Sequence, residues 1–228
     1  MRIFAIICTR EANLKPVTKG LVHTLSSYGV NVKLLIDQKS IFSAYQKGLD
    51  ICKPEPTDII IYCHDDIQIF SPRQSFIAAL AKCVEADTGI VGPAGTSFLG
   101  EDAVWWNMEK WKKGYHKGAV KHLSRQDPAQ VVTTSYGETG QVVALDGLFL
   151  AARAEVWEKI NLKKPNYFKG KWDFYDIHYT TTAHNLGYKN YVLPIDMLHH
   201  SNGELVGRDS WHQNRQAFIA NTNLPIRI

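Results

Sequence analysis

The sequence predicts an α/β fold, a mainly parallel central sheet flanked by helices. Three observations predict it. Apolar runs of strand length alternate with segments of helical period, as βα units around a parallel sheet require. Turn and stop residues punctuate the boundaries between them. At 228 residues the chain has room for one domain with a sizeable core and none for a second.

The first strand is read at residues 3–8. Asn13 then suits the N-cap of a helix whose apolar face is Leu14, Val17, Leu21, Leu25 and Tyr28, with Gly29 as its stop. A strand at 32–36 ends at Asp37, a helix follows at 40–51, and the turn Pro54, Glu55, Pro56 leads into the strand 59–63. Ser71 at an N-cap, Pro72 at the first helical position and Gln74 in capping-box position start a helix running to about residue 86. A short strand at 88–91 closes at Gly92 and Pro93.

Periodicity fades over 97–141, which reads as an insertion or long functional loop. Trp105, Trp106, Trp111 and Tyr115 are interleaved there with Lys110, Lys112, Lys113, Lys117 and Lys121. Order returns in "VVALDGLFLAARAEVW", a strand interrupted by Asp146 and Gly147 and followed by a helix at 154–160. A helix from Asp173 to Gly187, a strand at 191–193, "MLHHSNG" and a last helix capped by Asp209 complete the chain. The expected organisation is a single domain over 1–228, with ordered halves at 1–96 and 142–228 on either side of the middle segment.

Hydrophobic residues at 45% and charged ones at 21% exclude a disordered or fibrous chain. The net charge of +4 suits an anionic ligand but is too small to indicate nucleic acid, so none is expected. Cys8, Cys52, Cys63 and Cys83 form no CxxC pair and sit in or beside apolar runs, which predicts reduced thiols and a cytoplasmic compartment. The apolar run at the amino terminus is far too short to span a bilayer or serve as a signal peptide.

Ligands of open parallel sheets collect outside the carboxyl ends of the strands, where Asp37, His64, Asp65, Asp66 and Asp146 all fall. Adjacent strand residues point to opposite faces, so Asp65 and Asp66 cannot both aim at one ligand. His64 and Asp66, two apart, share a face. An imidazole and a carboxylate converging on one point suit a divalent cation such as Mn²⁺, which also removes the repulsion between the carboxylates. The plainer alternative is a set of solvated turn residues or helix caps; a receiver-type acidic pocket is another.

The series "IFAIICTRE", "VKLLIDQKSIFSAYQKGLD", "DIIIYCHDDIQI", "LDGLFLAARAEVW" and "WDFYDIHYTTTAHNLGYKNYVLPIDMLHHSNG" looks like a GT-A fold glycosyltransferase of the broad family-2-like group. The similarity covers most of the chain in order, leaving out 97–141. It implies a nucleotide-sugar donor, uridine-linked by expectation, a glycan or glycoconjugate acceptor, and Mn²⁺ or Mg²⁺ as cofactor. "HDD" sits where such enzymes carry a DXD motif, so Asp66 resembles the metal-binding aspartate and Asp65 lies by the donor's ribose or sugar; His64 replaces the first aspartate. Thr9, Arg10 and Glu11 stand where the nucleotide is held, Asp37 matches the acid that reads the base, and Asp146 with Gly147 resembles the segment beneath the donor and acceptor sugars.

"YDIH" resembles the late acidic motif whose carboxylate acts as base on the acceptor hydroxyl, first Asp176, then Asp173, with inversion as the outcome. The alternative for Asp176 is a first-turn carboxylate at a helix N-terminus. His199 and His200 stand where similar enzymes supply a third metal ligand, and at most one of two neighbouring histidines is expected to bind. Arg10, Arg208 or a middle-segment lysine could add positive charge at the diphosphate. The Trp/Lys segment is read first as an acceptor wall, against a nucleic-acid face or ordinary surface. Competing functions are a metal-dependent phosphoester hydrolase or nucleotidyltransferase, which needs more converging carboxylates, and a non-catalytic nucleotide-sugar or glycan-binding module.

Overall fold

The computed structural model of the chain describes residues 1–124, 126–127, 129–201 and 209–228. Its first half runs β1 (Ile3–Thr9), α1 (Pro16–Ser27), β2 (Asn31–Ile36), α2 (Ile41–Cys52), β3 (Ile59–Cys63), β4 (Ile67–Ile69), α3 (Arg73–Leu80), a 3₁₀ turn at Ala81–Val84, β5 (Thr88–Gly92), β6 (Ala94–Thr96) and β7 (Phe98–Leu99). The middle holds α4 (Met108–Lys112), β8 (His116–Leu123), β9 (Val131–Gly137), β10 (Gly140–Val142), β11 (Ala144–Leu145) and β12 (Phe149–Arg153). The last part is α5 (Ala154–Ile160), α6 (Tyr175–Asn185), β13 (Lys189–Val192), β14 (Met197–His199), α7 (Asp209–Ala220) and β15 (Ile226–Arg227).

The main sheet has seven strands in the order β10-β13-β5-β12-β3-β1-β2. β1 pairs in parallel with β2 and β3, and β13 with β5; β12 runs antiparallel to β3 and β5, and β10 antiparallel to β13. Five strands thus share one direction and two oppose it, the mainly parallel sheet the alternation predicts. Every residue of β3, β5 and β12 is buried, because helices cover both faces and leave no solvated side. Tyr45 of α2 stacks on Tyr62 at 4.1 Å between ring centroids, and Trp157 of α5 meets Tyr62 edge-on at 4.8 Å. Burying a side chain of this size contributes about 1.5–3 kcal/mol.

A second sheet, in the order β11-β6-β8-β14-β4 with β9 on the edge of β8, stands at the carboxyl end of the first. It takes in residues that the sequence reading leaves as a loop at 97–141: β8 and β9 are its strands, β10 edges the main sheet instead, and Trp105 is core, 2% exposed. Three helix starts also differ. α1 begins at Pro16 with Lys15, not Asn13, at the N-cap, since proline suits the first helical position and forces its predecessor extended. α3 begins at Arg73 behind Pro72; the Ser71 hydroxyl is engaged elsewhere, accepting from the Asp196 N–H at 2.7 Å. α6 begins at Tyr175, two residues after Asp173, behind a left-handed Phe174.

Candidate active site

β3 delivers the sequence to its carboxyl end, and the next residue is fixed at once: the His64 N–H donates to the Leu148 carbonyl at 3.0 Å. The chain then turns into β4, the edge strand of the second sheet. β14 runs antiparallel beside β4 with His199 opposite Ile67, and the His200 N–H donates to the Asp66 carbonyl at 2.8 Å. This register sets the His199 imidazole beside Asp66; alternation along the chain sends the His200 ring instead to the Gln68 side chain, 3.3 Å away.

His64 Nδ1, Asp66 Oδ1 and His199 Nε2 all lie within 4.8 Å of one another. The separations are 3.3 Å between the two imidazole nitrogens, 3.3 Å from Asp66 Oδ1 to His199 and 3.9 Å from Asp66 Oδ1 to His64. For ligand bonds of about 2.1 Å, neighbouring ligands stand about 3.0 Å apart in an octahedron and about 3.4 Å apart in a tetrahedron. Two edges of the triangle therefore fit a first-row divalent cation within a few tenths of an ångström, and the third, Asp66 to His64 at 3.9 Å, must close by about 0.5–0.9 Å. Asp66 Oδ1 is buried and receives no aligned hydrogen bond from the described residues, which also suits a cation.

Tyr175 decides the tautomer of His64. The tyrosine oxygen is 2.8 Å from His64 Nε2, and its own proton goes to the Gly147 carbonyl at 3.0 Å, which can only accept. His64 Nε2 must then be the donor, leaving a lone pair on Nδ1 facing Asp66 and His199. A ligating imidazole held through its other nitrogen is the usual second-shell arrangement of metal sites. The sequence reading missed Tyr175, whose one signal was its place beside Asp176 in "YDIH".

The electrostatics agree with this division. Burial, reinforced by the neighbouring His199, pushes His64 down to about 4, so it is neutral. Burial would push Asp66 up, but His199 and His64 outweigh it and hold the carboxyl at about 2. Burial would likewise lower His199, yet Asp66 and then Asp146 raise it above the ordinary imidazole value. Without a cation, the pull of Asp66 favours the protonated form of His199.

Beside this triangle lie the chain between β11 and β12 and the first turn of α6. The Gly147 N–H donates to Asp176 Oδ2 at 3.1 Å, and the Ile177 N–H to Asp176 Oδ1 at 2.9 Å. Asp146 Oδ1 accepts from the Leu148 N–H at 3.1 Å. Gly147 is required by proximity: a Cβ there would lie 2.6 Å from the Tyr175 oxygen and 2.8 Å from Asp176 Cβ. Burial, with the charge of Asp146 added, pushes Asp176 up to about 7 despite its two backbone donors. Burial raises Asp146 as well, with His199 opposing.

The other predicted residues spread around this centre. Asp173 is 5% exposed and accepts from the Ser210 hydroxyl at 2.6 Å, tying α6 to α7 rather than facing the triangle. Thr9, Arg10 and Glu11 stand at the end of β1 and Asp37 at the end of β2, where the Asp37 N–H donates to the Thr9 carbonyl at 2.9 Å. Asp65 is positioned through its carbonyl, which accepts from Thr18 Oγ1 at 2.9 Å. Arg208 lies outside the described residues. Trp106, Trp111 and Tyr136 are half-buried, with Trp106 against Trp211 at 5.5 Å and Trp111 against Tyr136 at 5.5 Å. No helix among the described residues is long and apolar enough to cross a membrane.

Residues 7–222 match the profile of a family described as "Glycosyltransferase like family". Among solved structures, the chain is similar to GalNAc-T7, crystallised with UDP, GalNAc and Mn²⁺, at 11% identity and a TM-score of 0.60 over 96% of this chain and 48% of that one. It thus spans about half the length of that protein, and the likeness is one of GT-A fold. It is also similar to A197 from STIV, at 13% identity and a TM-score of 0.49, over 86% of this chain and 84% of that one. No curated protein matches the chain.

Proposed function

The chain belongs to this glycosyltransferase-like family, and from that premise we propose that it transfers a sugar from a nucleotide-sugar donor, uridine-linked, to a hydroxyl of a glycan or glycoconjugate, with inversion and dependence on a divalent cation. The observation that carries the proposal is the convergence of His64 Nδ1, Asp66 Oδ1 and His199 Nε2 at the carboxyl end of β3. Two imidazoles and one carboxylate favour Mn²⁺ over Mg²⁺, which prefers oxygen ligands alone. A bound cation would neutralise the charge that grows on the departing diphosphate.

The chain's own residues supply the rest. Asp176, poised near neutrality by its burial, takes the proton of the acceptor hydroxyl as that oxygen bonds to the anomeric carbon. The bond to the leaving phosphate oxygen breaks on the opposite face and its electron pair leaves with the nucleoside diphosphate. The two backbone N–H donors on Asp176 fix where its carboxylate points. Thr9, Arg10, Glu11 and Asp37 hold the nucleotide, Asp65 the donor's ribose or sugar, and Asp146 with Gly147 the floor beneath both sugars. Residues 1–96 are the nucleotide-binding half and 142–228 the acceptor half. The half-buried Trp106 and Trp111 give acceptor sugars a surface to stack on. The four cysteines are all unpaired, which supports a cytoplasmic setting.

A panel of nucleotide sugars with Mn²⁺, read by thermal stabilisation and by release of free nucleoside diphosphate, tests this. Wild-type protein should be stabilised by at least one donor and release its diphosphate slowly. Asp66→Ala should lose turnover and the Mn²⁺-enhanced part of donor binding. Binding without any release, even with acceptors supplied, would favour a non-catalytic module; absence of all nucleotide-sugar binding would remove the proposal.

A further inference from the structure

Between α5 and α6 the chain reads "KKPNYFKGKW" over residues 163–172, with four lysines and no acid. It is firmly held from beneath. The Phe168 ring is buried against Phe42 of α2 at 6.1 Å and Phe174 at 6.3 Å. Asn214 of α7 takes the Gly170 N–H at 2.8 Å and donates to its carbonyl at 3.2 Å. The Lys171 carbonyl accepts from the Ile41 N–H at 3.0 Å, and Lys164 Nζ donates to the Phe168 carbonyl. With residues 168 and 170 turned inward, Tyr167, Lys169, Lys171 and Trp172 face solvent.

This loop and α2 border a groove of about 390 Å³ lined by Lys39, Lys47, Lys163, Lys164 and Lys171, with Asp50 the one acid among the described residues that line it. Among the described residues none of these lysines has a carboxylate within 4.0 Å, and Asp50 is engaged by Gln46 at 2.9 Å. On the same loop, Trp172 is 41% and Tyr167 37% exposed. Two amphipathic rings on a loop with lysines that lack a carboxylate partner fit a boundary that is apolar on one side and anionic on the other.

We propose that this face binds the surface of an anionic phospholipid bilayer, the lysines attracted by headgroup phosphates and Trp172 and Tyr167 entering the headgroup layer. Among the described residues, every cation lining the groove is a lysine. Nucleic-acid recognition favours the forked guanidinium of arginine, whereas diffuse attraction to a charged surface needs only point charges. The loop runs directly into Asp173 and α6, so a bilayer docked here would lie beside the proposed acceptor end of the site. The inference depends neither on the cation nor on sugar transfer, and its test needs neither.

The purified protein is sedimented with vesicles of phosphatidylcholine alone and of phosphatidylcholine doped with phosphatidylglycerol, while Trp fluorescence is followed. Binding should require phosphatidylglycerol, weaken with salt, and shift Trp emission to the blue. Lys163→Glu combined with Lys171→Glu should weaken binding at least tenfold, given about fivefold for each lysine near an anionic surface; Trp172→Ala should weaken it several-fold and abolish the shift. These side chains are exposed, and unchanged melting temperatures confirm folding. Equal binding to both vesicles, no binding at low salt, or no effect of the lysine reversals overturns the proposal. So does tighter binding to heparin or RNA than to vesicles with Trp172→Ala silent, which would assign the patch to a soluble polyanion.

Discussion

Asp176→Asn should stabilise the metal-free protein far more at pH 8 than at pH 5. The Asp176 carboxyl is raised from 3.8 to about 7 in the fold. A raised acid favours the protonated native state, so its contribution is fully present below the unfolded value of 3.8 and is lost as pH rises through about 7. At about 1.36 kcal/mol per pH unit, the wild type has lost roughly 1.7 kcal/mol at pH 5 and roughly 4 kcal/mol at pH 8. The difference is about 2.5 kcal/mol, reduced to about 1–2.5 kcal/mol because the half-buried carboxylate retains some water. For a chain of this size that is about 2–10 °C in Tm. Asparagine keeps only one acceptor for the Gly147 and Ile177 N–H groups, at a cost of about 1 kcal/mol that does not vary with pH. The informative quantity is therefore the change in the variant's Tm difference between the two pH values, from thermal melts with a chelator present. Titrating groups that are not coupled to Asp176 are common to both proteins and cancel, and Asp146, which is coupled to it, is part of the effect measured. A difference that is constant, or larger at pH 5, would refute the claim that burial beside Asp146 holds this carboxyl near neutrality. The same variant should lose about 10²–10⁴-fold in turnover as a missing general base.

Tyr175→Phe removes the acceptor of His64 Nε2–H and frees the imidazole to change tautomer; Mn²⁺ affinity by calorimetry should fall about 10–100-fold with little change in fold. Mn²⁺ affinity should also rise with pH, by up to about tenfold per unit while His199 is still protonated, because Asp66 and Asp146 outweigh burial and raise that imidazole; a flat profile from pH 6 to 8 would contradict this. Gly147→Ala places a methyl against Tyr175 and Asp176 and should cost about 1–3 kcal/mol by overpacking, with turnover falling further than stability alone explains. Full activity in a merely destabilised protein would show that this contact does not position the base.

Legibility in the sequence followed how far each element depends on distant chain. The strands of the main sheet were readable because burial on both faces demands unbroken apolar runs such as Ile59 to Cys63. β8 was not, since its inward positions include His116 and Gly118, which carry no apolar signal, and β9 was not because it is an exposed edge. Ser71 looked like a cap; that it instead accepts from Asp196, 125 residues away, is written nowhere near it.

The candidate site divides along the same line. His64 and Asp66 are near neighbours in the sequence, but they converge through the turn between β3 and β4 rather than by the strand alternation from which a shared face was read. The preference for His199 over His200 was not local: it depends on β14 pairing with β4 so that His199 stands opposite Ile67, and a slip of one residue would exchange the two rings. Tyr175 is further still, because its role exists only where a hydroxyl 111 residues from His64 meets both that imidazole and the Gly147 carbonyl. The second sheet thus does more than widen the fold. By fixing the register of β14 against the strand that follows Asp66, it selects which imidazole faces the carboxylate. By way of Gly147, the chain between β11 and β12 couples the orientation of His64 to that of Asp176. A perturbation at Gly147 should therefore disturb cation affinity and the proposed base together, whereas one at His200 should disturb neither.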